Sequence, residues 1–296
     1  MILNVFDGNL GLPTVDIKSL QMMAFVKFMN IEVDLRKKTL KPYLNDELPE
    51  LICDEGPITS LENFFKYIKL EAAHQNKIKQ NQSSLDIRFK PYEFLFKETI
   101  KPAYINTYWL DENNYCEVTR GVFSKVSSFP LNYFVPSFIR KNYLNQFNNL
   151  YPLKSRKNYF DLDLIDNAKN VLKLLSNELG DKKYFNNESP NEIDALIFGY
   201  LAIILYIEVP KMNNLNIFLK ENNNLVDYVN RILSIYFKGE FVKQDLKINK
   251  EQFEQVSWKK IFYITFLALS ANAIYLLYVI KSKEEEKSDD EEEDDY

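Results

Sequence analysis

The chain has few of the residues that disulfide frameworks and many enzyme sites need. Its two cysteines, Cys53 and Cys116, belong to no C-x-x-C pair, so disulfide scaffolds, thiol-redox motifs and structural zinc lack their usual support. Free thiols suit a reducing compartment such as the cytosol. His74 is the only histidine in the sequence. This excludes a histidine-based triad and a multi-histidine metal site.

Glycine is also scarce. Seven glycines in 296 residues are too few for repeated phosphate-binding loops, and the sequence contains neither a Walker loop nor a G-x-G-x-x-G motif. Hydrophobic residues at 46% and charged residues at 27% indicate a folded chain that leans helical, and the length favours two domains. We predict a protein without enzymatic activity, bound cofactor or metal.

Charge is distributed unevenly along the chain. Residues 281–296, KSKEEEKSDDEEEDDY, hold ten acids and three lysines, a balance of −7. Subtracting this from the net charge of −5 leaves +2 for residues 1–280, which contain no long Lys/Arg stripe, so nucleic-acid binding has little support. We predict that the tail is disordered because its charges repel one another. The alternative is a weak contact with basic partners.

One long apolar run predicts a membrane helix. Residues 261–280 read IFYITFLALSANAIYLLYVI, with lysines on both flanks and Trp258, Tyr263 and Tyr278 near the ends. Twenty helical residues at about 1.5 Å each span roughly 30 Å, the thickness of a hydrocarbon core. We therefore predict a transmembrane helix from Ile261 to Ile280, rather than a buried helix of a soluble domain.

The position of this run predicts a tail-anchored topology. Only sixteen residues follow it, and residues 1–13 resemble neither a secretory signal nor a cleaved presequence. The bulk of the chain is expected to face the cytosol, with the acidic tail on the other side. One helix face carries Thr265, Ala268, Asn272 and Tyr275, which predict packing against another membrane helix or a barrel wall. The alternative is that Asn272 is merely tolerated.

Residues 1–71 alternate between strand and helix patterns. Strands are predicted at 2–6, 31–35, 48–54 and 56–59, and helices at 14–29 and 60–70. This order is that of a thioredoxin-like domain. Pro49 enters the third strand, where its peptide bond is either cis or an ordinary trans bond. Thr14 is expected to cap the first helix, with Asp16 in the first turn.

The rest of the chain before the membrane run reads as helical. Polar residues 72–84 predict a linker, residues 85–240 an all-helical domain, and residues 241–260 a tether. Asn191 and Asp194 predict a capping box on a helix at 191–205, whose apolar spacing indicates a buried position at the centre of a bundle. A second helix is predicted at 225–237.

Aromatic residues are dense between residues 104 and 138. Most are expected in the core, but the stretch FPLNYFVP (129–136) is broken by prolines, which interrupt regular helix. Aromatic residues are also favoured at interfaces. We therefore identify a candidate partner interface at Pro130, Tyr133, Phe134 and Pro136, with core packing as the alternative.

Several stretches resemble the metaxin family, most closely its metaxin-1 branch. They are GLPTVD (11–16), TYWLDENNYCEVTR (107–120), FPLNYFVP (129–136), SPNEIDALIFGYLA (189–202) and LVDYVNRILSIYF (225–237). They are collinear with the family pattern and cover nearly all of residues 1–240. The resemblance implies a glutathione-transferase-like fold, with a thioredoxin-like α/β N-terminal domain, an all-α C-terminal domain and one C-terminal transmembrane helix.

The resemblance also implies a function. Metaxins are mitochondrial outer-membrane proteins, and the family implies a non-catalytic subunit of the sorting and assembly machinery that aids protein import and β-barrel insertion. The implied partners are a second metaxin, the β-barrel insertase of the outer membrane and adaptors of motor-driven mitochondrial transport. The acidic tail would lie in the intermembrane space. The alternative is a membrane-tethered glutathione-dependent transferase or a tail-anchored fission factor.

Two positions bear on that alternative. A glutathione transferase activates a thiol with Tyr, Ser or Cys near the end of its first strand, whereas residues 7–16 offer only the hydroxyl of Thr14. Glutathione-binding relatives usually place an acid–Ser pair after the fourth strand. Here Ser60 and Leu61 occupy those positions and Glu62 stands one residue away. The missing pair favours the non-catalytic interpretation.

Overall fold

The computed structural model describes residues 1–41, 47–79, 84–151, 160–186, 188–210 and 215–239, together with residues 266, 270 and 275. The chain divides into two units, residues 1–246 and 247–296. The sheet and the helices given below all belong to the first unit.

A four-stranded sheet forms the N-terminal half. Its strands are β1 (Ile2–Val5), β2 (Asp34–Lys37), β3 (Glu50–Cys53) and β4 (Gly56–Ile58). They lie in the order β2-β1-β3-β4, with β1 and β2 parallel and the other two pairs antiparallel. Helices α1 (Ile17–Phe28) and α2 (Leu61–His74) complete this half. The predicted order of strand, helix, three strands and helix is confirmed.

Several boundaries differ from the sequence prediction: α1 begins at Ile17 rather than Thr14, and β2 and α2 differ as well. Strand β2 begins at Asp34 rather than Ile31, because Asn30 adopts a left-handed φ of 52° and the N–H of Ile31 donates to Val26 O at 3.0 Å. This bond closes the end of α1, so Ile31 belongs to the helix cap. Helix α2 continues to His74 and its Ala72 is fully buried, so residues 72–74 are helical rather than part of a linker.

The C-terminal half is helical. Its α-helices are α3 (Phe89–Leu95), α4 (Lys101–Tyr104), α5 (Glu112–Asn114), α6 (Arg120–Lys125), α7 (Val135–Leu150), α8 (Phe160–Leu179), α9 (Glu192–Tyr206), α10 (Leu215–Lys220) and α11 (Asn223–Tyr236). Helix α9 is buried on every side and packs against α1, which joins the two halves through one core. The prediction that this helix lies at the centre of the bundle is confirmed.

The junction of α1 and α9 depends on a glycine. A Cβ atom at Gly199 would lie 2.3 Å from Cγ of Gln21 and 3.0 Å from the carbonyl oxygen of Ile17. Gln21 is itself fixed, because its Nε2 donates to Leu196 O at 2.9 Å within the core. The two helices therefore approach as closely as they do only because position 199 has no side chain.

Three π-helical turns interrupt the helices between residues 96 and 119, at Phe96–Ile100, Ile105–Leu110 and Tyr115–Thr119. Buried side chains hydrogen-bond to carbonyls of this segment. Asn114 Nδ2 donates to Thr107 O at 2.9 Å, and Thr119 Oγ1 donates to Tyr108 O at 2.7 Å. These bonds hold the irregular stretch around the fully buried Trp109.

Most of the predicted membrane helix lies outside the described residues. Of residues 261–280, only Phe266, Ser270 and Tyr275 are described, and each is helical. Ile261, Ala268, Asn272 and Ile280, the tether at 241–260 and the tail at 281–296 fall outside. Within the part of the chain that the structure does cover, we find no helix with both the length and the hydropathy to cross a membrane.

Candidate functional site: the start of helix α1

The loop after β1 is where a transferase of this fold would activate a thiol. Thr14 is fully buried, and its Oγ1 accepts a hydrogen bond from the N–H of Asp16 at 3.3 Å. Asp16, not Thr14, caps α1: its Oδ2 accepts from the N–H of Ser19 at 2.7 Å and from Ser19 Oγ at 2.8 Å. The expectation that Thr14 caps this helix was therefore wrong by two residues, since Thr and Asp are both favoured caps.

The charge of Asp16 acts on three tyrosines, Tyr104, Tyr143 and Tyr200. Burial raises the pKa of each phenol, and the negative charge of Asp16 raises it further. Burial also raises the pKa of Asp16, against the lowering effect of the Ser19 donors. The phenols therefore stay protonated at physiological pH and are not phenolate bases, and the hydroxyl of Tyr104 accepts a hydrogen bond from Trp109 Nε1 at 3.1 Å.

Two lysines, Lys18 of α1 and Lys101 of α4, bring positive charge to the same region from the two halves. Burial lowers the pKa of the Lys18 ammonium in α1, although the charges of Asp16 and Glu47 oppose that shift. Burial likewise lowers the pKa of Lys101 in α4, and the charges of Lys97 and Lys18 add to the effect. The start of α1 thus has neutral phenols and two lysines near it, while the carboxylate of Asp16 is committed to the helix cap.

The second transferase-like position lies at the start of α2. Ser60 precedes the helix, but its side chain makes no capping hydrogen bond. Glu62, the nearest acid, pairs with Lys66 at 2.8 Å and with Lys90 at 2.5 Å. These two lysines hold the pKa of the Glu62 carboxyl below its ordinary value. The Leu48–Pro49 bond, which the sequence left open, is cis.

The candidate interface at 129–136 splits into exposed and buried residues. Phe129 and Phe134 are 65% and 60% exposed, and Pro130 is exposed beside them. Tyr133 is half-buried, with its ring edge-on to Phe129 at 6.2 Å between centroids. Pro136 is buried in the first turn of α7, so its inclusion in the interface was wrong. Proline is favoured at the start of a helix, which is the signal that sequence reasoning missed there.

The exposed aromatics rest on the N-terminal half. Val135, immediately after Phe134, is fully buried in a small cluster with Phe6 and Leu40. The N–H of Ser128 donates to Thr39 Oγ1 at 2.9 Å. The segment is therefore fixed at both ends by contacts with residues on either side of β2, which presents Phe129 and Phe134 on a rigid support.

The capping box of α9 is present in full. Asn191 Oδ1 accepts from the N–H groups of Ile193 and Asp194, and Asp194 Oδ2 accepts from the N–H of Asn191 at 3.1 Å. The other carboxylate oxygen of Asp194 accepts from the N–H of Phe185 at 2.8 Å and from the hydroxyl of Tyr228. Burial nevertheless raises the pKa of Asp194 to about 6.

A buried ion pair joins the two halves and was not predicted from the sequence. Lys69 Nζ in α2 lies 2.8 Å from Oε1 of Glu192 in α9, and it also donates to Ser84 O at 2.7 Å. The N–H of Asp86 donates to the same oxygen of Glu192 at 2.5 Å. Among the described residues, Glu192 Oε2 has no hydrogen-bond partner. In the same described ranges, no group of three His, Cys, Asp or Glu side chains is close enough to hold a metal ion.

Two family models match the chain. Residues 19–140 match the family described as outer mitochondrial membrane transport complex protein, and residues 168–232 match the glutathione S-transferase C-terminal domain. Mouse metaxin-1 (Mus musculus) is 29% identical over 245 residues, which cover 80% of this chain and 75% of the mouse protein. Bovine metaxin-1 (Bos taurus) is 29% identical over 290 residues, which cover 94% and 89%. The chain is similar to the metaxins over most of its length.

A third metaxin relative and two solved structures complete the comparison. Metaxin-3 of Xenopus laevis is 29% identical over 248 residues, covering 80% of this chain and 77% of its own. A glutathione S-transferase of Ceriporiopsis subvermispora in complex with glutathione has 12% identity and a TM-score of 0.47, covering 82% of this chain and 98% of that chain. A glutathione transferase family member from Pseudomonas fluorescens has 10% identity and a TM-score of 0.46, covering 81% and 91%.

The fold class follows from the domain match and the architecture. The glutathione S-transferase C-terminal domain match spans residues 168–232, which include most of α8 and all of α9 and α10. Ahead of it stand the mixed four-stranded sheet and its two helices. The chain therefore has a glutathione-transferase-like fold, as the resemblance implied.

Proposed function

We propose that this chain is a non-catalytic subunit of an outer mitochondrial membrane transport complex. The finer proposal is that it serves the sorting and assembly machinery, which inserts β-barrel precursors. The observation that carries it is the match of residues 19–140 to the outer mitochondrial membrane transport complex family. A second metaxin and the β-barrel insertase are the proposed partners.

The groups at the transferase-like positions support the non-catalytic assignment. Thr14 and Asp16 hold the start of α1, and Glu62 is held by two lysines. Burial keeps the phenols of Tyr104, Tyr143 and Tyr200 protonated. A glutathione transferase needs a group that stabilises the thiolate, whereas each of these groups already serves a helix end, an ion pair or the core.

The membrane anchor is part of the proposal. The uncharged run from Ile261 to Ile280 is long enough to span a bilayer, and its polar face would carry Ala268, Asn272 and Tyr275. We propose that the folded unit faces the cytosol and that the −7 tail lies in the intermembrane space. A transport-adaptor role would use the same cytosolic orientation.

We propose that Phe129 and Phe134 contact a partner subunit. Both are large, exposed and fixed by the buried Val135 cluster beside them. Rigid exposed aromatics are typical anchors of protein interfaces, because they bury a large apolar area at little cost in conformational entropy. Membership of the complex would thus depend on a surface built by both halves of the fold.

The test is co-purification from mitochondria. The full chain should co-migrate with the barrel insertase on native gels, and replacing Phe129 and Phe134 with Ser should release it without changing thermal unfolding. Phe94→Ser is the matched control, because Phe94 is 66% exposed on α3, away from this segment. Wild-type chain that never co-migrates with the insertase refutes the role. Equal retention of all variants refutes the interface.

The alternative function has its own assay. Stoichiometric binding of labelled glutathione, together with turnover of a thiol-conjugation substrate, would establish a membrane-tethered transferase. We expect no turnover, because the thiol-activating positions are occupied as described above. A tail-anchored fission factor would instead change mitochondrial morphology without co-migrating with the insertase.

A further inference from the structure

Strand β2 is an edge strand of the sheet among the described residues. The N–H of Asp34 donates to Met1 O at 3.1 Å, and the N–H of Lys38 donates to Val5 O at 2.8 Å, so these residues face β1. Because backbone groups alternate in direction along a strand, those of Leu35 and Lys37 point away from β1. In the part of the chain that the structure describes, β1 is the only strand paired with β2.

An apolar pocket lies beside this edge. It has a volume of about 470 Å³, and six of its eight lining residues are apolar: Leu3, Met23, Val26, Ile31, Val33 and Leu35. The register of the sheet pairs Leu3 with Leu35, which places both side chains on the face that α1 covers. The pocket therefore occupies the space between α1 and the outermost strand.

The edge of β2 and the pocket are placed so that one added strand would contact both. A strand added to β2 would place the side chain opposite Leu35 on the α1 face, at the pocket. Its neighbours along the strand would lie beside Asp34 and Arg36, which form an ion pair at 2.6 Å. The edge thus calls for a segment whose side chains alternate between apolar and polar.

The basic side chains of β2 do not block such pairing. Lysines on edge strands usually repel an incoming strand. Here Lys37 pairs with Asp7 at 2.8 Å, and Lys38 lies 3.6 Å from Glu50. The opposite edge, β4, is shorter and contains Pro57, which supplies no N–H. Strand β2 is therefore the better edge for an added strand.

We propose that β2 binds an extended segment of another protein by strand addition, with one apolar side chain seated in the pocket. The identity of the occupant rests on the proposed function: it is the strand of an outer-membrane β-barrel precursor before insertion. Barrel strands alternate apolar and polar residues, and their backbone groups are unpaired until the barrel closes. Both properties match what the edge of β2 offers.

The first test measures binding of a defined peptide to the full chain in detergent. The probe is a fluorescein-labelled peptide of about ten residues, the length of a barrel strand, in which valine and threonine alternate. We expect saturable binding and slower hydrogen exchange at the amides of Leu35 and Lys37, but not at Ile58 of β4. The same peptide with N-methyl groups on alternate residues should not bind in the matching register.

The second test uses paired variants. Lys37→Pro removes an outward N–H, and Lys37→Ala keeps it while losing the same ion pair. We expect at least about tenfold weaker binding for the proline variant than for the alanine variant. Val33→Trp should weaken binding by filling the pocket, whereas Ile52→Trp on β3 should not. If Lys37→Pro fails to fold, the Val33→Trp and N-methyl comparisons decide.

The outcomes separate this inference from the proposed function. Absent peptide binding, or binding that ignores both the pocket and the N–H variants, overturns the strand-addition inference. Complex membership is read separately by co-purification, so an intact complex with no peptide binding refutes only the inference drawn from β2.

Discussion

The ammonium nitrogen of Lys69 lies 2.8 Å from Oε1 of Glu192, and both side chains are almost entirely withdrawn from solvent. The pair joins α2 of the α/β half to the first residue of α9 in the helical half. A buried charge whose partner is removed keeps its full desolvation cost. The pair therefore favours the arrangement of the two halves in which Lys69 and Glu192 meet, because any other arrangement would leave a charge without its partner.

Lys69→Met should destabilise the fold strongly. It leaves the Glu192 charge buried without its partner, and we expect a loss of about 3–5 kcal/mol in the free energy of unfolding. Adding Glu192→Leu should recover much of that loss, because the double variant buries no charge. Urea unfolding of the single and double variants measures the coupling.

Lys66→Met is the matched control for this pair. Lys66 has the same 2.8 Å separation from its partner Glu62, but its side chain is 53% exposed. Exposed ion pairs contribute about 0–1 kcal/mol, so this variant should cost little. Equal losses for Lys66→Met and Lys69→Met would show that burial of the Lys69 pair has no energetic consequence.

Asp194 predicts a pH-dependent stability. Burial raises its folded-state pKa from 3.8 to about 6, so the folded state holds the proton more tightly than the unfolded state. The stability that this group contributes is then fully present below about pH 4 and is lost as pH rises through about 6. A shift of this size corresponds to about 3 kcal/mol.

The Asp194→Asn variant isolates that contribution. The difference in unfolding free energy between wild type and Asp194→Asn should fall as pH rises from about 4 to about 6, because the amide does not titrate. Asn191 is unchanged in this variant, so its side chain can still cap the first turn of α9. A difference that stays flat over this range would show that Asp194 titrates alike in both states.

Gly199→Ala should loosen the contact between α1 and α9. Alanine is the better helix former by about 1 kcal/mol, but its Cβ would meet Gln21 at 2.3 Å. Overpacking of this kind costs about 1–3 kcal/mol, so we expect a net loss of stability. Combining Gly199→Ala with Gln21→Ala should restore part of it. Thermal unfolding of both variants tests the steric explanation, and absence of rescue would point to the Ile17 carbonyl instead.

Asn272→Leu tests the proposed membrane helix. If Asn272 packs against another helix or a barrel wall, the substitution should reduce complex assembly without detaching the chain from membranes. Carbonate extraction reads anchoring, and native gels read assembly. Ser270→Leu is the control, because two residues that are two positions apart do not share a helix face. Unchanged assembly would remove the interaction hypothesis and leave a passive anchor.

Deleting residues 284–296 tests the acidic tail in the same assays.

Much of the fold could be predicted from the sequence, because its signals are local. The short apolar runs of the sheet, and the Asn191–Asp194 cap before a continuous apolar helix, each depend on residues a few positions apart. The predicted cap of α1 was two residues too early, because Thr14 and Asp16 both fit the rules for a cap. Local chemistry located the turn but did not choose between neighbouring caps.

The contacts between the halves could not be predicted in the same way. Lys69 and Glu192 are 123 residues apart, and each alone has the character of a solvent-exposed charge. The exposure of Phe134 and the burial of Pro136, two positions later, depend on how α7 rests on Phe6 and Leu40. Such outcomes require the tertiary arrangement, which periodicity along one segment does not supply.

The all-round burial of α9 has a consequence for sorting of the newly made chain. Before folding, residues 192–206 present an apolar segment that targeting factors for membrane helices could engage. Fifteen helical residues extend only about 22 Å, short of the roughly 30 Å of a hydrocarbon core. The acids Glu192 and Asp194 also stand at its entrance. The chain thus carries two apolar segments, and length and terminal charge distinguish α9, which folds into the core, from residues 261–280, which we propose enter the bilayer.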